Sequence, residues 1–134
     1  MLKLNLKETN FNLKIILVEP SGPLNVGSIA RLCSNFNVDQ LRIVSPKCDI
    51  YSLETKKMAL KGIKFIKESI IYESLIDSIS DCDLVLATCG RIHYQKDHNQ
   101  DPLESISTWI RNFKEVKNLA ILFGREDRGL TQSE

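Results

Sequence analysis

Lys14-Ile-Ile-Leu-Val-Glu-Pro-Ser-Gly-Pro-Leu-Asn-Val-Gly-Ser-Ile-Ala-Arg31 holds a strand, a turn and the start of a helix. The β-branched run Lys14–Glu19 reads as a strand, because branched side chains fit a pleated, buried surface and Pro20-Ser-Gly-Pro23 closes it with turn chemistry. Asn25 to Asn35 reads as a helix. Asn25 can cap the free N–H groups of the first turn, and Ile29, Leu32, Cys33 and Phe36 fall on one face. A second strand, Leu41–Val44, follows and is closed by Ser45-Pro46. Strand, helix and strand in succession call for a crossover connection, and hence for parallel pairing.

The same alternation continues along the chain. Leu53–Leu60 predicts a short helix ended by Gly62, whereas Ile63–Ile71 is ambiguous and can hold a short strand. Ser74–Cys82 predicts a helix with Leu75, Ile76 and Ile79 on its buried side, and Asp83–Thr88 a strand. Residues 91–101 form a polar loop. Pro102–Lys114 reads as a helix, with Asp101 as cap and Pro102 at its first position. Asn118–Phe123 is the last strand. The expected class is therefore α/β, a mainly parallel sheet flanked by helices, with runs such as Ile15–Val18 and Leu84–Ala87 covered on both faces. Residues 1–13 read as an N-terminal arm and residues 14–134 as one domain.

Composition sets the outer limits. A chain of 134 residues that is 43% apolar and 26% charged has enough core for one domain and too little for two. Eighteen Lys and Arg against 17 Asp and Glu leave a net charge of +1, which excludes a strongly basic or acidic tail but allows a local patch. The most basic stretch is Lys56, Lys57, Lys61, Lys64 and Lys67, a solvated face or a phosphate contact. Cys33, Cys48, Cys82 and Cys89 form no C-x-x-C pair. A zinc site is not expected, and Cys33, Cys82 and Cys89 read as small core residues of a cytoplasmic chain with free thiols. No metal is expected at His93 or His98, which lack acidic or cysteine partners at ligand spacing. The start lacks a signal-peptide core, and no apolar run approaches the roughly 20 residues of a membrane span.

In parallel α/β sheets ligands bind beyond the carboxyl ends of the strands, which directs attention to three loops. In the first, Asn25 and Gly27 let the backbone turn closely into a helix whose N-terminus offers free N–H groups. Arg31, one turn after Gly27, reaches over the same end. A capped helix with a surface arginine explains these residues as well. In the second, Thr88-Cys-Gly-Arg91, Gly90 permits close approach to a ligand, Thr88 offers a hydroxyl and Arg91 a phosphate-matching charge. An ordinary strand exit would look the same. The third, Gly124-Arg-Glu-Asp-Arg-Gly129, packs four charges between two glycines at the end of a buried strand, which packing alone does not require. No Lys-Ser/Thr pair follows the glycines and they lack G-x-G-x-x-G spacing, so neither a Walker A loop nor a dinucleotide fingerprint is present.

Asn25-x-Gly27-x-x-x-Arg31 after a strand, with Leu122-Phe-Gly-Arg-Glu-Asp-Arg-Gly-Leu130 about ninety residues later, resembles the SpoU branch of the SPOUT RNA methyltransferases. Val18-Glu-Pro20 and Thr88-Cys-Gly-Arg91 resemble in particular its TrmJ-like tRNA ribose 2′-O-methyltransferases. The resemblance runs from Lys14 to the end of the chain. It implies a SPOUT-like (Rossmann-like) sheet ending in a trefoil knot, a homodimer, and transfer of methyl from S-adenosylmethionine (AdoMet) to a ribose 2′-hydroxyl of tRNA or rRNA. By position, Arg31 would act on the hydroxyl and Asn25 would organise the motif. Thr88, Cys89, Gly90, Gly124 and Glu126 would line the cofactor pocket, and Arg91 and Arg125 would face the RNA. An arginine stays protonated near neutral pH, so Arg31 is better suited to align the hydroxyl and stabilise the developing alkoxide than to act as a base.

The family's third motif, an apolar strand followed by a Ser-Leu-Asn-like segment, has no counterpart before Gln132-Ser-Glu134. The expectation is a truncated chain lacking the knot segment, weakly active at most. Two rival readings follow: a non-enzymatic RNA-binding or dimerisation module of the same fold, and a generic domain whose glycine loops hold a nucleotide phosphate.

Overall fold

Asn12–Val18 forms the first strand, β1, at the centre of the sheet, and Pro23–Asn35 the first helix, α1. Then come β2 (Gln40–Val44), α2 (Leu53–Ala59), a 3-10 turn (Leu60–Gly62), α3 (Ile63–Lys67), β3 (Ile70–Tyr72), α4 (Leu75–Ile79), β4 (Leu84–Ala87) and β5 (Asn118–Phe123). The computed structural model describes residues 11–88 and 117–124. The loop expected at 91–101 and the helix at 102–114 lie outside them.

The described strands make one parallel sheet in the order β3-β2-β1-β5-β4. Alternation along β1 divides the core. Leu13, Ile15 and Leu17 pack with Val26, Ala30 and Cys33 of α1 and with Leu41, Ile43 and Leu119. Ile16 and Val18 point the other way, to Val44, Ala120 and Leu122, with Leu75 and Ile79 of α4 against them. A fully parallel α/β sheet, as the apolar runs imply, is what forms. At the opposite, amino-terminal edge, two aspartates hold neighbouring strands in register. Asp39 accepts from Leu13 N–H at 2.6 Å, and Asp83 accepts from Lys117 and Asn118 N–H at 3.0 and 2.8 Å.

Some local expectations are corrected. Ile76, expected on the buried side of its helix, is 76% exposed, because α4 spans only five residues and turns Leu75, Ser78 and Ile79 inward. Leu32 is likewise exposed on α1. Leu84–Ala87, expected to be covered on both faces, is only half-buried, because β4 stands at the edge of the described sheet. The ambiguous segment after Gly62 divides into a helix and a three-residue edge strand. The helix expected to reach Leu60 stops at Ala59, because Leu60 adopts φ 51° and ψ −118° and throws the chain into the 3-10 turn.

Arg42 breaks the apolar pattern of β2. Its side chain is buried, and both guanidinium NH₂ groups donate to Asp81, at 2.7 Å each. Nη1 also donates to the Ser78 carbonyl at 2.6 Å, Nε to Gln40 Oε1 at 2.8 Å, and the group lies 5.7 Å from the Tyr72 ring centre. This fork ties the end of α4 to the sheet. Hydrogen bonds from Arg42 hold the Asp81 carboxyl well below the usual carboxylate range. A depressed acid stabilises the fold fully above its unfolded value, about 3.9, and that contribution is lost as pH falls toward the folded value. Below about pH 4 the urea midpoint is therefore expected to fall with acid, and Asp81→Asn to flatten that fall. Asp81 is 54% exposed, so solvent screening keeps the effect modest.

Candidate functional site

The sheet reverses direction of growth between β1 and β5: the chain leaves β1 toward β2 on one side, while β5 lies on the other. At such a switch point the two following loops part and leave a crevice beyond the carboxyl ends. Glu19, at φ 49°, turns the chain off β1 while its N–H still donates to the Val44 carbonyl at 2.8 Å. Helix α1 begins four residues later at Pro23, whose ring presets the helical φ and which has no N–H to satisfy.

Gly22 is therefore the N-cap, and the capping role expected of Asn25 is not realised. The Asn25 and Val26 N–H groups donate to the Gly22 carbonyl at 3.1 and 3.2 Å, and Asn25 stands exposed in the first turn. That frees its side chain for another purpose. A cavity of about 300 Å³ opens here, lined by Leu17 and Pro20 from the exit of β1, Asn25, Val26, Ser28 and Ile29 from α1, and Phe123 and Gly124 from the end of β5. The first loop and Gly124, the described start of the third, thus share one crevice, with an apolar wall and the Asn25 amide and Ser28 hydroxyl as polar groups. Ser28 was not singled out in the sequence, and Ile29 was read only as part of the helix's apolar face. Their spacing from Asn25, three and four residues, places them on its helical face.

Thr88 lies at the end of β4. Its N–H and its hydroxyl both donate to the Leu122 carbonyl, at 3.0 and 2.7 Å. The hydroxyl proton is committed to holding the end of β4 against β5, beside the strand end that delivers Gly124. Cys33, facing the core, is pushed up to about 12 by burial and is no nucleophile.

Gly27 has a different role from the one expected. It lies inside α1, where a Cβ would sit 2.6 Å from the Thr55 carbonyl oxygen and 2.7 Å from Met58 Cβ. Gly27 lets α2 cross against α1, and a closed circuit of hydrogen bonds fixes that crossing. Thr55 N–H donates to Ser52 Oγ at 3.2 Å, the two hydroxyls pair at 3.0 Å, and Thr55 Oγ1 donates to the Pro23 carbonyl at 3.1 Å.

Arg31, one turn beyond Gly27, is exposed and does not line the cavity. It follows Asn25 by six residues, roughly 240° around a helix, so it stands on the flank of α1 toward α2 and the 3-10 turn. Among the described residues its side chain makes no hydrogen bond or ion pair. The structure brings Asn25 and Gly124 together and leaves Arg31 outside their crevice. Cys89, Gly90, Arg91, Arg125 and Glu126 lie outside the described residues.

Comparison with known proteins gives a consistent set of matches. The model of the SpoU rRNA Methylase family matches residues 12–134. The tRNA (cytidine-2′-O-)-methyltransferase TrmJ of Sulfolobus acidocaldarius is 36% identical over 123 residues, which are 91% of this chain and 51% of that protein. TrmJ from Z. mobilis ZM4 superposes with a TM-score of 0.72 at 28% identity, over 90% of this chain and 52% of the other. The SpoU methyltransferase AviRb from Streptomyces viridochromogenes, solved in complex with AdoMet, shares the fold. Its TM-score is 0.62 at 16% identity, over 96% of this chain and 46% of that one. The chain spans about half the length of the curated relatives it matches.

Proposed function

Because this chain belongs to the SpoU rRNA methylase family, we propose that it carries the catalytic half-site of an AdoMet-dependent RNA 2′-O-methyltransferase acting on tRNA. The observation that carries this reading is the single crevice shared by Asn25 and Gly124 at the switch point of the sheet. Its apolar wall of Leu17, Val26, Ile29 and Phe123, with a few polar groups at the rim, suits a small organic cofactor. The cofactor, when bound, supplies an electrophilic methyl on its sulfonium.

The residues of this chain do the rest. Gly124, with Cys89, Gly90 and Glu126, lines the cofactor pocket. Thr88 holds the strand end that positions them, through its two hydrogen bonds to Leu122. Arg91 and Arg125 face the RNA. Asn25 orients the reacting end at the rim, and Arg31 aligns the ribose hydroxyl and stabilises the developing alkoxide while its proton passes to solvent water.

Arg31 lies outside the crevice that the described residues form, which supports the reading that it reaches the hydroxyl from a second copy in a homodimer. Leu24, seven residues before it, and Leu32, the next residue, are 52% and 46% exposed on α1 and favour cover by such a copy. A C2 pair is the commonest closed arrangement, and would offer each crevice the other chain's arginine.

The decisive experiment pairs calorimetry with a transfer assay. AdoMet is expected to bind and ATP not to, and methyl from labelled AdoMet is expected in tRNA, at a nucleotide whose 3′ phosphodiester then resists alkaline cleavage. ATP binding instead would indicate a generic phosphate-binding domain. RNA binding without AdoMet binding, in the protein that carries this chain, would indicate a non-enzymatic module.

A further inference from the structure

The segment from residue 55 to residue 67 holds five lysines and no acidic residue, in a chain whose net charge is only +1. Lys56, Lys57, Lys61, Lys64 and Lys67 are all exposed, while Thr55, Ala59, Gly62, Phe65 and Ile66 turn inward. Among the described residues none of the five has a carboxylate within ion-pair distance. Lys64 Nζ lies 5.3 Å from the Phe65 ring centre. Exposed glutamates stand only at the two ends, at Glu54 and Glu68. A row of like charges left without partners costs stability through mutual repulsion and attracts a polyanion.

Its position is as informative as its charge. A Cβ on Gly62 would meet the backbone of Ala30 and lie 2.6 Å from the Arg31 nitrogen. The 3-10 turn therefore presses onto α1 at Arg31, with Lys61 next to Gly62 in the chain and Lys64 two residues after it.

We propose that this lysine row is a docking track for the RNA phosphate backbone, leading the substrate to Arg31. The proposal rests on the reading of the chain as an RNA methyltransferase. An anionic membrane surface is the weaker occupant. A helix that lies in a bilayer needs an apolar face to insert, and here the apolar residues of α2, the 3-10 turn and α3 are mostly spent on the core, leaving only Leu53 and Leu60 largely exposed.

The test replaces three lysines at once, Lys57→Gln, Lys61→Gln and Lys64→Gln, since glutamine keeps helix propensity while removing charge. Binding of an unmodified tRNA transcript to the chain is measured by fluorescence anisotropy between 50 and 200 mM salt. Each lost phosphate contact lowers the log–log salt slope by about 0.7 on a single strand, so the triple variant is expected to lose about 2 from the slope. Over a fourfold salt range, that makes the wild-type affinity fall about 16-fold further than the variant's. The melting temperature is expected to stay at or slightly above the wild-type value, since repulsion is relieved, and AdoMet affinity to stay unchanged. An unchanged slope, with RNA binding and AdoMet binding intact, overturns the track and leaves the methyltransferase reading standing. Absence of RNA binding by the wild type at every salt overturns both. Loss of binding to phosphatidylserine vesicles with unaltered RNA binding overturns the track in favour of a membrane.

Discussion

Gly62→Ala is expected to destabilise the domain by about 3 kcal/mol, although alanine is the better helix former. The backbone at Gly62, φ −75° and ψ −3°, is open to any L-residue, so conformational freedom is not what the position requires. Space is. The added methyl would overlap the carbonyl carbon and oxygen of Ala30 and the nitrogen of Arg31, all main-chain atoms inside a helix. No rotamer change relieves such a contact, and α1 and the 3-10 turn must move apart. Against a typical total of 5–15 kcal/mol the loss is large, and it should appear as a lower urea midpoint with an unchanged slope. A variant with wild-type stability would mean that the turn does not touch α1. Because Arg31 and the lysine row meet at this contact, the surviving folded fraction should also bind RNA more weakly.

That contact marks the limit of what the chain discloses before it is folded. The last strand, Asn118–Phe123, was legible to the residue, because an apolar run between polar neighbours has one sheet reading and no competitor. The parallel sense of the sheet was legible too, because strands that alternate with helices need crossover connections. The edge was not: β3 has three residues, two of them exposed isoleucines, too short a run to show a period.

Gly27 and Gly62 read locally as a helix entry and a helix stop. Their real partners are backbone atoms about thirty residues away. Arg42 likewise looks like one polar residue in a strand until Asp81, 39 positions later, is placed against it. At the candidate site, the shared crevice of Asn25 and Gly124 followed from the strand-end rule. The facing of Arg31 did not, since its side of α1 depends on where the helix is anchored, and Pro23 starts that helix two residues earlier than Asn25 would.

Arg31→Ala is expected to lower methyl transfer by the protein that carries this chain by about 10³-fold, with AdoMet affinity unchanged. Removing one preorganised donor from a developing oxyanion costs about this much, and no other described cation stands on α1 to replace it. The loss should fall on kcat more than on KM, as for a group that meets charge only in the transition state. Subunit mixing then decides where the arginine acts. Arg31→Ala chains are combined with chains carrying Gly124→Val, a substitution that fills the crevice. If each crevice takes its arginine from the other chain, a mixed dimer keeps one intact site, and a random mixture recovers about a quarter of wild-type activity. If the arginine serves its own crevice, every site in the mixed dimer carries a defect and nothing is recovered. Recovery is the expected outcome, because six residues of helix turn Arg31 away from the cavity that Asn25 lines. Near-normal turnover by Arg31→Ala alone would remove the residue from the reaction altogether.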